Sequence, residues 1–400
     1  MFDGSKAQPQ GGGTGVSVVI ATVDGRHHLE TILCALAEQT YPREHVELIV
    51  VDNGSTDGTT QFLRAHHPAV RVIPNTNNIG FAAACNQGAA QAQGRYLALL
   101  NNDMRPAPDW LERMVGALGA SPPSVVCIAS RIESWDGTRV DFAGGGISFN
   151  GMGYQDGHGA AVGSDGDPAP PERLLFPCGG AMLVDRGVFV DVGGFDERYF
   201  AFYEDVDFGW RLWVLGYEVG YCPTAVVYHR GGATGGRLPL HRKLVLLERN
   251  ALYNVLKNYD DETLSTVWPA ALMLAVRRVD VRAGMPRAAF GLSPARRDGL
   301  RGAVTTALDR VRSVRLRSRP SAPMPLDAYA GVLAIEDVVE HLPGLLETRR
   351  WIQERRQRSD REIFRLFPPR FVAESDHPVY RAAYRTVVSG LRVADAVGQE

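Results

Sequence analysis

The stretch AFYEDVDFGWR, residues 201–211, places three carboxylates within four positions, among aromatic side chains. They are Glu204, Asp205 and Asp207. One interpretation is structural, because the unpaired N–H groups in the first turn of a helix carry partial positive charge and favour acidic residues. The other is a functional site, since aromatic bulk that excludes water raises the pKa of a carboxylate and helps it to accept a proton. The stretch by itself leaves both open.

Polar residues also follow predicted strands at the points where the strands end. Asp52 closes VELIVVD, where a carboxylate can accept hydrogen bonds from a nucleoside, although most of the turn after it is explained by helix capping. Asp103 follows Asn101 and Asn102, and such oxygen-rich side chains suit Mg²⁺ or Mn²⁺ as well as a simple turn. His229 closes AVVYH and is either a structural histidine or a ligand.

Glycines mark two further segments. Gly80 precedes the alanine-rich run FAAACNQGAA, which fits either a tightly packed helix or the close approach of a ligand. The other glycine run, GGGTG at residues 11–15, precedes the first predicted strand. A dinucleotide-binding fingerprint must follow a strand and open a helix, so a nicotinamide-dependent oxidoreductase is disfavoured.

Short apolar runs alternate with helical stretches from Val16 to about Trp110, which predicts a parallel sheet with helices on its faces. The Gly-, Asp- and Pro-rich segment from Gly144 to about Pro171 reads as a long loop. A domain boundary is predicted near Asp260. The expected organisation is a flexible leader at 1–14, an α/β domain at 15–260 and a mainly helical, Arg-rich region at 261–400.

Composition excludes some classes of protein. The 400 residues carry a net charge of −2, so no global positive field recruits nucleic acid. Five scattered cysteines resemble reduced core thiols, the start of the chain has no apolar signal segment, and we expect a cytoplasmic protein. The arginines between Arg296 and Arg319 fit a solvated helix face or, alternatively, attraction to anionic lipid at the inner face of the membrane.

Taken in order, seven segments resemble the family 2 glycosyltransferases, in particular their rhamnosyltransferase-like branch. They are VSVVIAT, VELIVVDNGSTDGT, NNIGFAAACNQG, YLALLNND, PCGGAMLVDR, VGGFDERYFAFYEDVDFGWRLWVLGY and AVVYHRGG. The resemblance implies the α/β GT-A nucleotide-diphospho-sugar transferase fold, a Rossmann-like mixed sheet flanked by helices, here followed by a C-terminal helical region.

The resemblance also implies roles for individual residues. Asp205 matches the catalytic base, Glu204 would help to place the acceptor, and Asp103 and His229 would bind Mg²⁺ or Mn²⁺. Outside the resemblance, Trp210 fits either a core position or a contact with the acceptor sugar. The residues implied for the donor nucleotide are Ala21, Thr22, Asp24, Asp52, Gly80, Asn86 and Asn102. The sequence departs from the family pattern at Asn101, where many members have an aspartate, and at residues 21–24, where Ala-Thr-Val-Asp replaces Pro-Thr-Tyr-Asn.

The implied reaction is an inverting transfer of rhamnose or another hexose from a dTDP-, UDP- or GDP-sugar to a hydroxyl of a glycan or lipid-linked acceptor, in assembly of cell-envelope polysaccharide or glycoconjugate. Membrane contact through the C-terminal region would suit a lipid-linked acceptor. The alternative is a catalytically silent module on the same fold that binds a sugar nucleotide or a glycan. The retained pair Asp205 and Asp103 favours the enzyme.

Overall fold

A computed structural model describes residues 15–231, 238–284 and 324–398. The predicted leader at 1–14 and the arginines from Arg296 to Arg319 lie outside the described residues.

Ten of the twelve strands in the described residues form one mixed sheet, in the order β10-β12-β6-β11-β4-β1-β2-β3, with β5 on β12 and β7 on β6. The strands are β1 Val16–Thr22, β2 Val46–Asp52, β3 Arg71–Pro74, β4 Tyr96–Leu100, β5 Met104–Pro106, β6 Val125–Ser134, β7 Val140–Phe142, β8 Gly145–Ile147, β9 Gly153–Gln155, β10 Arg173–Leu174, β11 Ala181–Asp185 and β12 Glu218–His229.

The first four strands of the chain run parallel, as the alternating pattern predicts, because β1 pairs in parallel with β2 and β4, and β2 with β3. Strand β11 then lies antiparallel between β4 and β6. Strand β12 runs parallel to β6, and its end at His229 pairs with Met104 at the start of β5. This pairing brings His229 beside Asp103, although the two residues are far apart in the sequence.

The helices are numbered in order along the described residues. They are α1 Arg26–Ala37, α2 Thr59–His66, α3 Phe81–Gln91, α4 Trp110–Ala120, α5 Arg186–Asp191, α6 Glu204–Val214, α7 Leu240–Asn258, α8 Asp261–Ala283, α9 Leu326–Glu340, α10 Leu342–Arg355, α11 Asp360–Leu366, α12 Pro378–Gly390 and α13 Val393–Ala396. Helix α3 packs on β1 and β2, and α4 packs on β6 and β12. No helix in the described ranges is both long enough and apolar enough to cross a membrane.

The small residues of α3 serve tight packing against the sheet. Ala82, Ala84 and Gly88 are buried, and a Cβ atom built on Gly88 would lie 2.4 Å from Cγ1 of Val19. A larger side chain would push the helix off β1. The structural interpretation of the alanine-rich run therefore holds for this face of the helix.

The hydrophobic core continues across the boundary predicted near Asp260. Tyr259, at the end of α7, packs its ring against Trp210 of α6 and Phe364 of α11. A second cluster joins Tyr199 and Tyr253 to side chains of α8, α9 and α10. Position 260 separates two helices, α7 and α8, whose buried faces belong to the same core.

The segment predicted as a long loop contains a hairpin. Strands β8 and β9 pair antiparallel, with Gly145 opposite Gln155 and Ile147 opposite Gly153. The prediction of an unstructured loop is wrong here because the strands are only three residues long and glycine-rich, which hides the alternation of apolar and polar residues.

Candidate active site

A cavity of about 630 Å³ opens at the carboxyl ends of the parallel strands. This is where ligands bind in open α/β sheets. Residues from the ends of β1, β4 and β12, from the β8–β9 hairpin and from the start of α6 all line it. They include Ala21, Thr22, Asn53, Asn78, Asn102, Asp103, Tyr154, Phe176, Phe202, Tyr203, Glu204, Asp205 and His229.

Asp103 lines the cavity. The residue is 4% exposed, Oδ2 lies 3.2 Å from Nε2 of His229, and Oδ1 is buried without a hydrogen-bond partner. Burial alone would raise the pKa of Asp103, but the hydrogen bond from His229 outweighs it and the pKa lies below its usual value. This cavity residue therefore carries an ionised carboxylate with one oxygen that lacks a donor.

His229 is fixed from its other side by Asp141 of β7. Nδ1 of His229 lies 2.5 Å from Oδ2 of Asp141. Burial disfavours the imidazolium, but hydrogen bonds to Asp103 and Asp141 outweigh this and raise the pKa of His229 to about 10. A carboxylate on the second ring nitrogen is the usual way in which proteins orient a metal-binding histidine.

Asp103 and His229 would fit a divalent cation once the histidine has lost its proton. The unpaired Asp103 oxygen offers one donor atom, and the His229 ring would offer Nε2 as a second when a cation displaces the proton that Asp103 now stabilises. Within residues 15–231, 238–284 and 324–398, no three His, Cys, Asp or Glu side chains gather closely enough to hold a metal ion. Any such ion would therefore need further ligands from a substrate, as Mg²⁺ commonly does with phosphates.

Asp205, in the first turn of α6, also lines the cavity. Oδ2 accepts a hydrogen bond of 2.9 Å from the Gly179 N–H, and Oδ1 accepts one of 2.8 Å from the Val206 N–H. Burial raises the pKa of Asp205 in spite of these two donors, which favour the ionised form. The carboxylate is thus held in place while remaining a better proton acceptor than an exposed aspartate.

Glu204 lies beside Asp205 and differs from it in its environment. It is 5% exposed, and its Oε2 is buried without a hydrogen-bond partner. Burial and the neighbouring Asp205 carboxylate raise the pKa of Glu204 well above its usual value. A neutral carboxylic acid can donate a hydrogen bond into the cavity.

Asp207 does not reach the cavity. Its carboxylate is fully buried and forms ion pairs with Arg211, at 3.0 Å, and with Lys257, at 2.9 Å. Burial alone would raise the pKa of Asp207, but these cations lower it. The three carboxylates of the opening stretch therefore divide into two at the cavity and one in a structural ion-pair cluster.

Three of the seven predicted donor-side residues line the cavity and four do not. Ala21, Thr22 and Asn102 line it, and Nδ2 of Asn102 donates to Oγ1 of Thr22 at 2.7 Å. Asp52 instead accepts from the Ser55 N–H, at 3.0 Å, and from the Thr60 hydroxyl. Asp24 accepts from the N–H of Thr56 at 2.7 Å. Both carboxylates help to hold the loop after β2, and their contact with a donor nucleotide stays a prediction.

Gly80, Asn86 and Trp210 also lie outside the cavity lining. Gly80 has a φ of +93° and packs against Phe200. The Asn86 amide bonds both the N–H and the carbonyl oxygen of Phe195, at 2.9 and 2.8 Å. The Trp210 indole is 1% exposed and packs on Tyr259, which is the core position that the sequence allowed beside a contact with the acceptor.

The sequence prediction missed several cavity residues. Asn53 and Asn78 follow β2 and β3 in segments that read as turns, and Nδ2 of Asn53 donates to Oδ1 of Asn78 at 2.9 Å. Tyr154 lies in the hairpin that was predicted as a loop, and Asp141 acts through His229. Their position near the carboxyl ends of strands was an available signal for the asparagines, whereas Tyr154 and Asp141 depend on tertiary contacts.

Comparison with known proteins decides the family. Residues 17–190 match the family described as Glycosyl transferase family 2. N-acetylglucosaminyl-diphospho-decaprenol L-rhamnosyltransferase of Mycobacterium tuberculosis (strain ATCC 25618 / H37Rv) is 31% identical over 242 residues, which cover 56% of this chain and 78% of that protein. The chain belongs to glycosyltransferase family 2. The mixed sheet with flanking helices is the GT-A fold of this glycosyltransferase, as the motifs predict.

Two further proteins are similar to this glycosyltransferase over part of its length. The pre-mycofactocin glycosyltransferase of Mycobacterium tuberculosis (strain ATCC 25618 / H37Rv) is 32% identical over 188 residues, covering 46% of this chain and 37% of the relative. A solved structure of GalNAc-T7 with UDP, GalNAc and Mn²⁺ is 17% identical, covers 64% of this chain and 51% of the other, and has a TM-score of 0.49.

Proposed function

We propose that the enzyme transfers a sugar, with inversion, from a nucleoside diphosphate sugar to a hydroxyl group of a glycan or lipid-linked acceptor. The observation that carries this proposal is that a single cavity is lined by Asp103 and His229 and also by Asp205. An inverting displacement needs a base on one face of the sugar and charge stabilisation at the leaving group on the opposite face.

At the acceptor, Asp205 would serve as the base. It takes the proton of the acceptor hydroxyl while the oxygen forms a bond to the anomeric carbon, and the bond from that carbon to the diphosphate oxygen breaks. Two backbone N–H groups hold the carboxylate, and its raised pKa supports proton uptake. Glu204, kept neutral by burial, would donate a hydrogen bond to the acceptor.

At the donor, Asp103 and His229 would hold Mg²⁺ or Mn²⁺, whose chemistry there is to neutralise charge on the diphosphate. Asp141 keeps His229 oriented toward Asp103. Thr22, Asn53, Asn78 and Asn102 offer neutral hydrogen-bonding groups to the nucleoside side of the donor. These groups can form hydrogen bonds with thymine, uracil or guanine, so the donor is proposed only as a dTDP-, UDP- or GDP-sugar.

A lipid-linked acceptor is supported by the relative whose name specifies transfer to N-acetylglucosaminyl-diphospho-decaprenol. The same relative makes rhamnose the first sugar to test. Seven aromatic side chains line the cavity, which suits the apolar faces of sugar rings. A peripheral location at the inner face of the cell membrane would bring the cavity to such an acceptor and is part of the proposal.

The proposed base is tested with Asp205→Asn. A carboxylate base contributes ~10²–10⁴-fold to rate, so turnover should fall by about this range while affinity for the donor stays close to wild type. Transfer is measured with the best donor found by screening dTDP-, UDP- and GDP-sugars for thermal stabilisation with and without Mn²⁺. Near-normal turnover of Asp205→Asn would show that Asp205 is not the base.

The proposed metal site is tested separately with Asp103→Asn. Titration with Mn²⁺ in the presence of the nucleoside diphosphate should show weakened metal binding in this variant, and EDTA should weaken donor binding to the wild type. Equal donor affinity and equal activity with and without EDTA would show that Asp103 does not bind a metal required for transfer. That outcome would leave the assignment of Asp205 intact.

A further inference from the structure

The segment immediately before the proposed base has an unusual backbone. Phe200, Phe202 and Tyr203 have φ values of +62°, +68° and +65°. Non-glycine residues in left-handed conformations each cost on the order of 1–3 kcal/mol and persist only where surrounding groups hold them. Three of them within four residues, directly before Glu204 and Asp205, require an external support.

The support comes from Asn250, in the middle of α7. The side chain is fully buried, and its Nδ2 donates to the carbonyl oxygens of Tyr199, Ala201 and Phe202 at 3.1, 2.9 and 2.7 Å. A single amide group thus holds three carbonyl groups of residues 199–203, the left-handed segment. Without it, the carbonyl groups of Ala201 and Phe202 would lose their side-chain donor, and that of Tyr199 would keep only Arg249 as a side-chain donor.

Arg249 strengthens this contact. Its Nη2 donates to the carbonyl oxygens of Arg198 and Tyr199 at 2.8 and 3.1 Å, and its Nε donates to Oδ1 of Asn250 at 3.0 Å. Nη1 of Arg249 donates to Oδ2 of Asp337 on α9 at 2.9 Å. The Asn250 amide is therefore fixed in orientation, and the helices of the C-terminal region take part in fixing it.

The same segment is also tied to the start of α3. The carbonyl oxygen of Phe200 accepts hydrogen bonds from the N–H groups of Phe81 and Ala82, at 2.6 and 3.2 Å. At its far end, the Tyr203 carbonyl accepts from the N–H of Asp207, the first bond of α6. The path from α3 to Asp205 thus runs through the residues that Asn250 holds.

We propose that Asn250 is a positioning residue for the transfer reaction, because it holds residues 199–203, three of which have positive φ, in the backbone conformation that delivers Asp205 to the cavity. The proposal rests on the assignment of Asp205 as the base. Asn250 does not line the cavity, and it acts through the backbone. Misplacing a reacting group by about 1 Å can cost ~10²-fold in rate.

The test compares Asn250→Ala with Asn254→Ala. Asn254 lies one turn further along α7, is 2% exposed, and also makes buried hydrogen bonds, donating to the Gly151 carbonyl at 3.0 Å and accepting from the Tyr199 hydroxyl at 2.8 Å. Both variants should lower the melting temperature. Only Asn250→Ala should lower kcat, by about tenfold or more, with KM for the donor changed by less than about threefold.

The outcome that overturns the proposal is an equal kcat for the two variants, which would mean that Asn250 contributes only to stability. If Asn250→Ala does not fold, Asn250→Ser, which keeps one donor group, should fold and show an intermediate kcat. Asp205→Asn is measured in the same assay. Loss of turnover there with normal kcat in Asn250→Ala refutes the positioning role alone, whereas normal turnover in Asp205→Asn refutes the base.

Discussion

At Glu204 and Asp205, two adjacent carboxyl groups have different properties because their neighbours differ. Asp205 receives two backbone N–H groups, whereas Glu204 has an oxygen buried without a partner. The backbone donors favour the ionised form at Asp205, and burial favours the neutral form at Glu204. The pair therefore provides one proton acceptor and one proton donor at neighbouring positions of a single helix turn.

Glu204→Gln tests this division. Glutamine has the same shape and keeps a donor group, so kcat/KM at neutral pH should stay within about tenfold of wild type, whereas Glu204→Ala should raise KM for the acceptor. In both wild type and Glu204→Gln, kcat/KM should fall with decreasing pH through a pKa above the usual aspartate value, because Asp205 must be ionised. If Glu204→Gln lowered kcat/KM as much as Asp205→Asn does, Glu204 would not be neutral.

Gly80 offers a second test at the scale of a residue. A Cβ atom there would lie 2.7–2.9 Å from three atoms of Phe200, and the φ of +93° strains any other residue. Gly80→Ala should therefore lower both the melting temperature and kcat. In the control Gly116→Ala, on α4, the new Cβ has no atom within 4 Å, and stability should rise by roughly 0.5–1 kcal/mol. Unchanged kcat in Gly80→Ala would show that the Phe200 contact does not matter for transfer.

At the scale of elements, helix α6 is fixed by a buried ion-pair cluster. Lys257 of α7 is fully buried, with Nζ 2.5 Å from Asp196 and 2.9 Å from Asp207. Burial alone would raise the pKa of Asp196, but Lys257 and Arg198 lower it well below its usual range. The cluster joins α7, α6 and the turn before the left-handed segment into one unit.

Lys257→Met should destabilise the protein by about 3–5 kcal/mol, because it leaves two buried carboxylates without their shared cation. In the wild type, Asp196 and Asp207 have lowered pKa values, so their stabilising contribution is present above the usual aspartate pKa and is lost as pH falls below about 4. The free energy of unfolding, measured with urea at pH 7 and below pH 4, should fall less on acidification in Lys257→Met than in the wild type. The same dependence on pH in both would rule out this cluster as its source.

Some residues at the ends of the strands and in the hairpin could be placed from the sequence, and others could not. Asp103 and His229 were found because parallel strands end at one edge of a sheet, wherever the strands lie in the sequence. The hydrogen bonds that Asp52 and Asp24 accept from loop N–H groups could not be predicted, because a position at a strand end does not fix the direction of a side chain. Tyr154 was missed because its glycine-rich hairpin shows no periodicity.

At the scale of the whole molecule, the predicted α/β domain at 15–260 and the helices after it share one core. The rings of Tyr259, Trp210 and Phe364 pack together, and Arg249 joins the left-handed segment to Asp337. The predicted boundary near Asp260 marks a change of composition. It does not mark the limit of the folding unit, because the sequence pattern carries no information on which helix faces meet.

A chain that ends at Tyr259 should therefore not behave as an independent domain. Removing residues 260–400 exposes the apolar faces of α6 and α7, so the shortened chain should aggregate or melt without a cooperative transition, and transfer should be lost. Size-exclusion chromatography and thermal denaturation measure this. A monomeric fragment with a cooperative melt and normal donor binding would contradict a shared core.

The β8–β9 hairpin stands apart from the ten-stranded sheet, yet it brings Tyr154 and Gln155 to the cavity. Arg370, from the segment after α11, covers the Tyr154 ring with its guanidinium carbon 3.9 Å from the ring centre. The Tyr203 hydroxyl donates to the Gly153 carbonyl at 3.3 Å, so the hairpin also contacts the residue two positions before Asp205. Although no strand of the main sheet pairs with this hairpin, a change in its length or sequence would therefore reach the proposed base as well as the wall of the cavity.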